Sequence, residues 1–364
     1  MIYKDDSRAI QKYLKSYGID TSITKKTKCP AYTRYTLKFK QRKHIQGIFS
    51  DNYIANGLAI YLHDLHEQKG LPYLRFDTSR EEDSILSIEI PNTELEVVTF
   101  KKMLEKYKKS KLNYKLPIFL GVDGENKEHF ADLTELENIL MAGSTGGGKS
   151  VFNENIICSL ITKYKQEELR VYIADVKRVE FTMYNGLPHL IDNVHVDCED
   201  VLSSLGRLIV ERTKRDFLFK QSRVKGFNEY NVSFSKEKMP YILIIIDTFS
   251  DLMAYAPVRF ENILSQILPN SAKFGMHMII CDARPSVDVF TKVVRDAFAT
   301  KIAFNLSSDL DSVVALGQRG AERLLGRGDM LMLKKNERIP IRLQAPLISE
   351  KEILKICKGL RNED

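Results

Sequence analysis

The chain has 364 residues, 43% hydrophobic and 28% charged, which is ordinary for a soluble globular protein with a large core and room for two domains. Its formal net charge of +7 permits a polyanionic partner without requiring one. Five scattered cysteines (Cys29, Cys158, Cys198, Cys281, Cys357) form no C-x-x-C pair, so neither a disulfide framework nor a zinc site is indicated and a reducing setting fits.

No apolar run approaches the roughly 20 residues of a membrane span. The opening "MIYKDDSRAI" is no signal peptide. The expectation is a cytoplasmic protein, any membrane anchor being absent from this chain.

In chain order, "SRAIQKYLKSYG" spaces Ile10, Tyr13, Leu14 and Tyr17 as one face of a helix ended by Gly18. "AYTRYTLKF" and "SILSIEI" alternate like half-buried strands. "FKKMLEKYKKSKLNYK" places Phe100, Met103, Leu104 and Tyr107 on one helix face and lysines on the other, read as a solvated face leading into a linker, with a DNA-binding stripe as the alternative. A small N-terminal α/β domain is therefore expected over residues 1–112. From 113 the chain alternates strand and helix: "NILMAGS", "RVYIADV", "YILIIID", "HMIICDA" and "KIAFNLS" are short apolar strands. This predicts a parallel α/β sheet whose ligands bind beyond the carboxyl ends of the strands. The domain extends to residue 343, and a helical tail over 344–364 opens with a capping box, Ser349 and Glu352.

"GSTGGGKS" (Gly143, Ser144, Thr145, Gly146, Gly147, Gly148, Lys149, Ser150) fits G-x-x-x-x-G-K-[ST] between a strand and a helix. Such a loop wraps backbone N–H groups around phosphate oxygens at a positive helix end. Lys149 is expected on the β- and γ-phosphates of ATP, and Ser150 on Mg²⁺. Asp247, at the tip of the aliphatic run "LIIID", is the second magnesium partner.

Together these residues resemble the motor region of FtsK/SpoIIIE-type DNA translocases, across roughly residues 8–343. Further matching stretches are "ADVKRVEFTMYNGLPHL", "ERTKRDFLFKQSRVKGFNEYN", "RPSVDVFTKVVRDAFATKIAFNLSSDLDS" and "GAERLLGRGDML". "DVKRVEF" resembles the versions on plasmids and conjugative elements, whose partners include mobile-element transfer or replication proteins. The resemblance implies a small α/β domain before a RecA-like P-loop ATPase. It also implies a homo-hexameric ring around double-stranded DNA, bound without sequence preference, with ATP at subunit interfaces. "RPSVDVFTKVVRDAF" corresponds to the family's pore-lining region, and Lys292 and Arg295 are the expected DNA contacts.

Four positions depart from the family. Thr248 replaces the glutamate after Asp247, Ala283 a glutamine, and Lys301 and Val313 two arginines. Threonine cannot take a proton from water at neutral pH. Asp282, at the tip of "HMIIC", is a candidate relocated base if that tip turns toward the γ-phosphate. Weak or rearranged hydrolysis by a DNA motor is the leading expectation. A non-hydrolysing ATP-dependent DNA clamp and a coupling ATPase of a conjugation or secretion system are the alternatives.

Overall fold

The computed structural model describes residues 6–50, 53–66, 74–77, 83–92, 96–178, 180–234, 236 and 238–361. Residues 1–5, on which part of the leader reading rests, lie outside them. The chain forms two compact units, residues 1–97 with 122–127, and 98–121 with 128–364.

The first unit contains α1 (Ser7–Ser16), β1 (Thr21–Lys28), β2 (Tyr32–Phe39), α2 (Arg42–Ser50), α3 (Tyr53–His66), β3 (Arg75–Asp77) and β4 (Ile85–Pro91). Its four strands pair antiparallel in the order β1-β2-β4-β3. Ile10 and Leu14 of α1 are buried against Leu37, Leu58, Leu62, Leu86 and Ile88, whereas Tyr17 is exposed. Buried Glu89 takes ion pairs from Arg34 at 2.6 Å and Arg75 at 3.0 Å, which lets the sheet tolerate a carboxylate.

The second unit begins with α4 (Phe100–Lys109), the lysine-rich helix, so the expected boundary near 112 falls inside this unit. It buries Phe100 and Met103 and leaves its lysines exposed. There follow β5 (Pro117–Asp123), β6 (Glu128–Asp132), α5 (Leu133–Leu136), β7 (Ile139–Ala142), α6 (Lys149–Ile161), β8 (Leu169–Asp175), α7 (Cys198–Gln221), α8 (Phe227–Ser233) and β9 (Tyr241–Asp247). The remainder is α9 (Ser250–Tyr255), α10 (Pro257–Ile267), β10 (Met276–Asp282), α11 (Lys292–Ala297), β11 (Thr300–Phe304), α12 (Asp309–Leu316), β12 (Asp329–Leu333), β13 (Ile341–Gln344) and α13 (Glu350–Arg361).

These strands form one nine-stranded sheet, β6-β5-β13-β12-β11-β7-β10-β9-β8. The five runs read as parallel strands are its parallel half, β11-β7-β10-β9-β8. They are continuous apolar runs because helices cover both faces. β7 and β10 are buried at every position, and β9 from Ile242 onward. β12 joins antiparallel to β11 and β13 to β12, making the sheet mixed. The fold is thus α/β, with a small antiparallel sheet in the first unit and a mainly parallel P-loop sheet in the second. The capping box of α13 forms as its residues imply: Glu352 N–H donates to Ser349 Oγ at 3.3 Å and Ser349 N–H to Glu352 Oε2 at 3.0 Å.

Candidate functional site

Gly143 to Gly148 join β7 to α6, so the loop opens at a helix N-terminus, where the first turn of N–H groups has no intrahelical acceptor. Two glycines are sterically required. A Cβ on Gly143 would stand 2.6 Å from Phe304 Cβ, and one on Gly148, at φ +122°, would stand 2.9 Å from the Gly328 nitrogen. The loop is pinned from two sides: Ser144 N–H donates to Asn305 O at 2.7 Å, and Gly328 N–H to Gly147 O at 2.8 Å. Lys149 Nζ turns back into the loop, donating to Gly143 O at 2.6 Å and Ser144 O at 3.3 Å. Thr145 and Gly146 at the crown are exposed. A preformed concave backbone with a cation inside it fits a polyphosphate.

The parallel strands bring carboxylates to the same edge. β10 lies between β7 and β9, with Asp282 opposite Ala142 and Cys281 opposite Asp247. β8 flanks β9 in the register that sets Asp175 opposite Asp247. Asp247 is 6% exposed. It accepts the Cys281 thiol at 2.9 Å and the Thr248 hydroxyl at 3.3 Å. Burial raises its pKa above the ordinary carboxylate range and the Asp175 charge adds to this, against Cys281, Lys149 and Thr248. Buried neighbouring carboxylates facing a lysine are a fitting environment for a divalent cation, with Ser150 and Asp247 as its expected partners. Among the described residues no group of three His, Cys, Asp or Glu could hold a metal ion. Magnesium usually keeps water and substrate phosphate in its shell beside one or two protein ligands.

Thr248 occupies the position after Asp247 with φ +56° and is buried, its hydroxyl turned onto Asp247. Asp282 is also buried, and both of its carboxylate oxygens are engaged: Oδ2 accepts Ser250 N–H at 2.7 Å and Oδ1 accepts Arg284 N–H at 3.1 Å. Its carboxylate thus ties the turn after β9 to the turn after β10.

Two further carboxylates, Asp175 and Glu180, escaped the sequence reading. After β8 the chain bends back so that Asp175 Oδ2 accepts the N–H groups of Glu180 at 2.9 Å and Phe181 at 3.2 Å. This brings the half-buried Glu180 side chain beside the Ser150 hydroxyl, facing Asp247, Asp175 and Lys149. Burial raises its pKa, followed by the charges of Asp247 and Asp175, while Ser150 and Lys149 oppose the rise. One turn along α6, Glu154 is pushed up to about 7 by burial, then by Glu180 and Glu350. Glu180 stands in the family-matching stretch "DVKRVEF", but only strand adjacency brings it to the phosphate loop.

Of the expected DNA contacts, Lys292 is exposed at the start of α11 and Arg295 is half-buried one turn later. Thr291 caps this helix, its Oγ1 accepting Val294 N–H and donating to Glu261 at 2.6 Å. Lys301 is close enough to Arg295 that burial first, and then the Arg295 charge, lower its pKa. Three cations are therefore grouped at α11 and the start of β11.

Residues 100–287 match the model of the FtsK/SpoIIIE family. The chain is similar to the DNA translocase FtsK of Clostridium tetani, 33% identical over 99% of this chain and 48% of that protein. It is also similar to the DNA translocase SpoIIIE of Bacillus subtilis, 32% identical over 97% of this chain and 45% of that protein. It spans about half the length of these relatives. Among solved structures, the monomer form of the pCW3 conjugation coupling protein TcpA with ATPγS superposes with a TM-score of 0.64 at 18% identity, covering 98% of this chain and 99% of that one.

Proposed function

Because the chain belongs to the FtsK/SpoIIIE family, we propose that it is a P-loop ATPase motor acting on double-stranded DNA, with a rearranged hydrolytic site. The observation that carries this reading is the loop Gly143–Gly148 closing on Lys149, with Asp247 at the tip of the second strand away. In that arrangement the backbone amides and Lys149 bind the β- and γ-phosphates, and Ser150 and Asp247 would hold magnesium. Magnesium, when bound, would supply charge neutralisation at the phosphates. The first unit serves as the small domain that precedes the motor. Lys292 and Arg295 contact DNA phosphates in the lumen of a hexamer.

The deciding experiment is titration with a fluorescent ATP analogue and magnesium. Lys149→Ala should abolish binding, and unchanged affinity would overturn the site assignment. A second reading is an ATPase that couples DNA to a conjugation apparatus, in keeping with the fold shared with the conjugation coupling protein TcpA. Duplex-stimulated phosphate release, with displacement of a roadblock on linear duplex, supports a motor. Tight duplex binding without either supports a clamp or a coupling role.

A further inference from the structure

Hydrolysis requires an acceptor that orients the attacking water and takes its proton. The positions at the tips of β9 and β10 do not provide one. Thr248 gives its hydroxyl to Asp247, Ala283 has no polar side chain, and both oxygens of Asp282 hold backbone amides. The tip of β8 does. Asp175 and Asp247 are paired in register, so the loop that leaves β8 passes directly beside the metal-facing end of β9. Asp175, itself fully buried, anchors that loop by accepting the Glu180 and Phe181 amides. The Glu180 carboxylate is thereby held next to Ser150, within the field of Lys149 and Asp247.

Resting on the ATPase reading above, we propose that Glu180 is the catalytic carboxylate of this site, with Asp175 as its positioning residue. Glu180 accepts a hydrogen bond from the attacking water and takes one proton as the water oxygen bonds to the γ-phosphorus. The bond from that phosphorus to the β–γ bridging oxygen breaks, and the oxygen leaves with ADP. The proton then passes from Glu180 to phosphate or solvent. This carboxylate follows the strand next to the one that carries Asp247, and the two tips share an edge of the sheet. Glu154 lies on α6 one turn beyond Ser150, away from the phosphate-facing end of that helix, and is not assigned this role.

The test compares the full chain with Glu180→Gln and Glu180→Asp, using magnesium and ATP with and without linear duplex. Three quantities are read: affinity for a fluorescent ATP analogue, single-turnover phosphate release, and the nucleotide recovered from the protein after incubation. Wild type should bind ATP and release phosphate. Glu180→Gln should keep its affinity within about threefold, lose release by roughly 100-fold, and yield uncleaved ATP where wild type yields ADP. Glu180→Asp, which withdraws the charge by one methylene, should bind normally and turn over at an intermediate rate. Retention of about a third of the rate or more by Glu180→Gln overturns the proposal. So does loss of affinity in step with rate, which would make Glu180 a binding residue, and so does a wild type that binds ATP but never cleaves it. A wild type that does not bind ATP overturns the ATPase reading itself.

Discussion

Thr248 combines two features that rarely coincide, a branched Cβ and a left-handed backbone at φ +56°. Such a conformation costs about 1–3 kcal/mol and persists only where its surroundings hold it. Here Asp247 holds it by accepting the hydroxyl. Thr248→Glu therefore places an acceptor after Asp247 but adds a carboxylate beside it. The expected outcome is lower stability without nucleotide and partial recovery of phosphate release when combined with Glu180→Gln. A double variant no faster than Glu180→Gln alone would show that position 248 no longer faces the reacting water. Thr248 was singled out in the sequence by the family resemblance, which implies a glutamate after Asp247. Glu180 stands in a family-matching stretch, but its relation to Ser150 was not legible, since it depends on β8 lying next to β9 and on a loop reversal capped by Asp175.

At the level of elements, legibility followed burial. β7, β9 and β10 are aliphatic runs because both faces of the parallel half are covered, and composition alone exposes such strands. β12 and β13 were not read as strands. Asp329 and Arg342 look like surface residues, yet they form a buried pair, Arg342 Nη2 lying 2.6 Å from Asp329 Oδ2. β1, "TSITKKTK", is polar because it is the largely exposed edge strand of the small sheet. One core strand carries a pH dependence. His277 in β10 is 1% exposed and shares a hydrogen bond with Glu137 O through Nδ1 at 2.9 Å. Burial lowers its pKa from 6.5 to about 4. The folded protein keeps the ring neutral, whereas the unfolded chain protonates it below about pH 6.5. This contribution to stability is complete above pH 6.5 and is lost as pH falls toward 4, for a total of about 3 kcal/mol. Unfolding midpoints measured across that window should fall steeply in wild type and less steeply in His277→Gln. Parallel curves would assign the acid sensitivity to other groups.

For the whole molecule, the second unit carries both the phosphate loop and the cations of α11, so nucleotide and DNA would meet on one sheet. Replacing Lys292 and Arg295 by alanine should weaken binding to every duplex sequence alike and shift the log–log salt slope by roughly 0.9 per lost phosphate contact. Unchanged affinity and slope would place the DNA elsewhere. Mass measurement with an ATP analogue and duplex should detect a ring, and a persistent monomer would count against it. A ring interface would leave little trace in the sequence, because an interface between identical chains shows no periodicity of its own. One contact extends the influence of the phosphate loop across the sheet. Gly147 O accepts Gly328 N–H at 2.8 Å, and Gly328 O accepts Ala345 N–H at 2.7 Å. This short relay leads from the nucleotide cradle into the turn before β12 and the residue after β13. Nucleotide binding that stiffens the loop should slow deuterium uptake at the Gly328 and Ala345 amides, residues that need not touch ATP. The antiparallel half of the sheet would then act as a lever, moving with the chemical state of a site built on the parallel half.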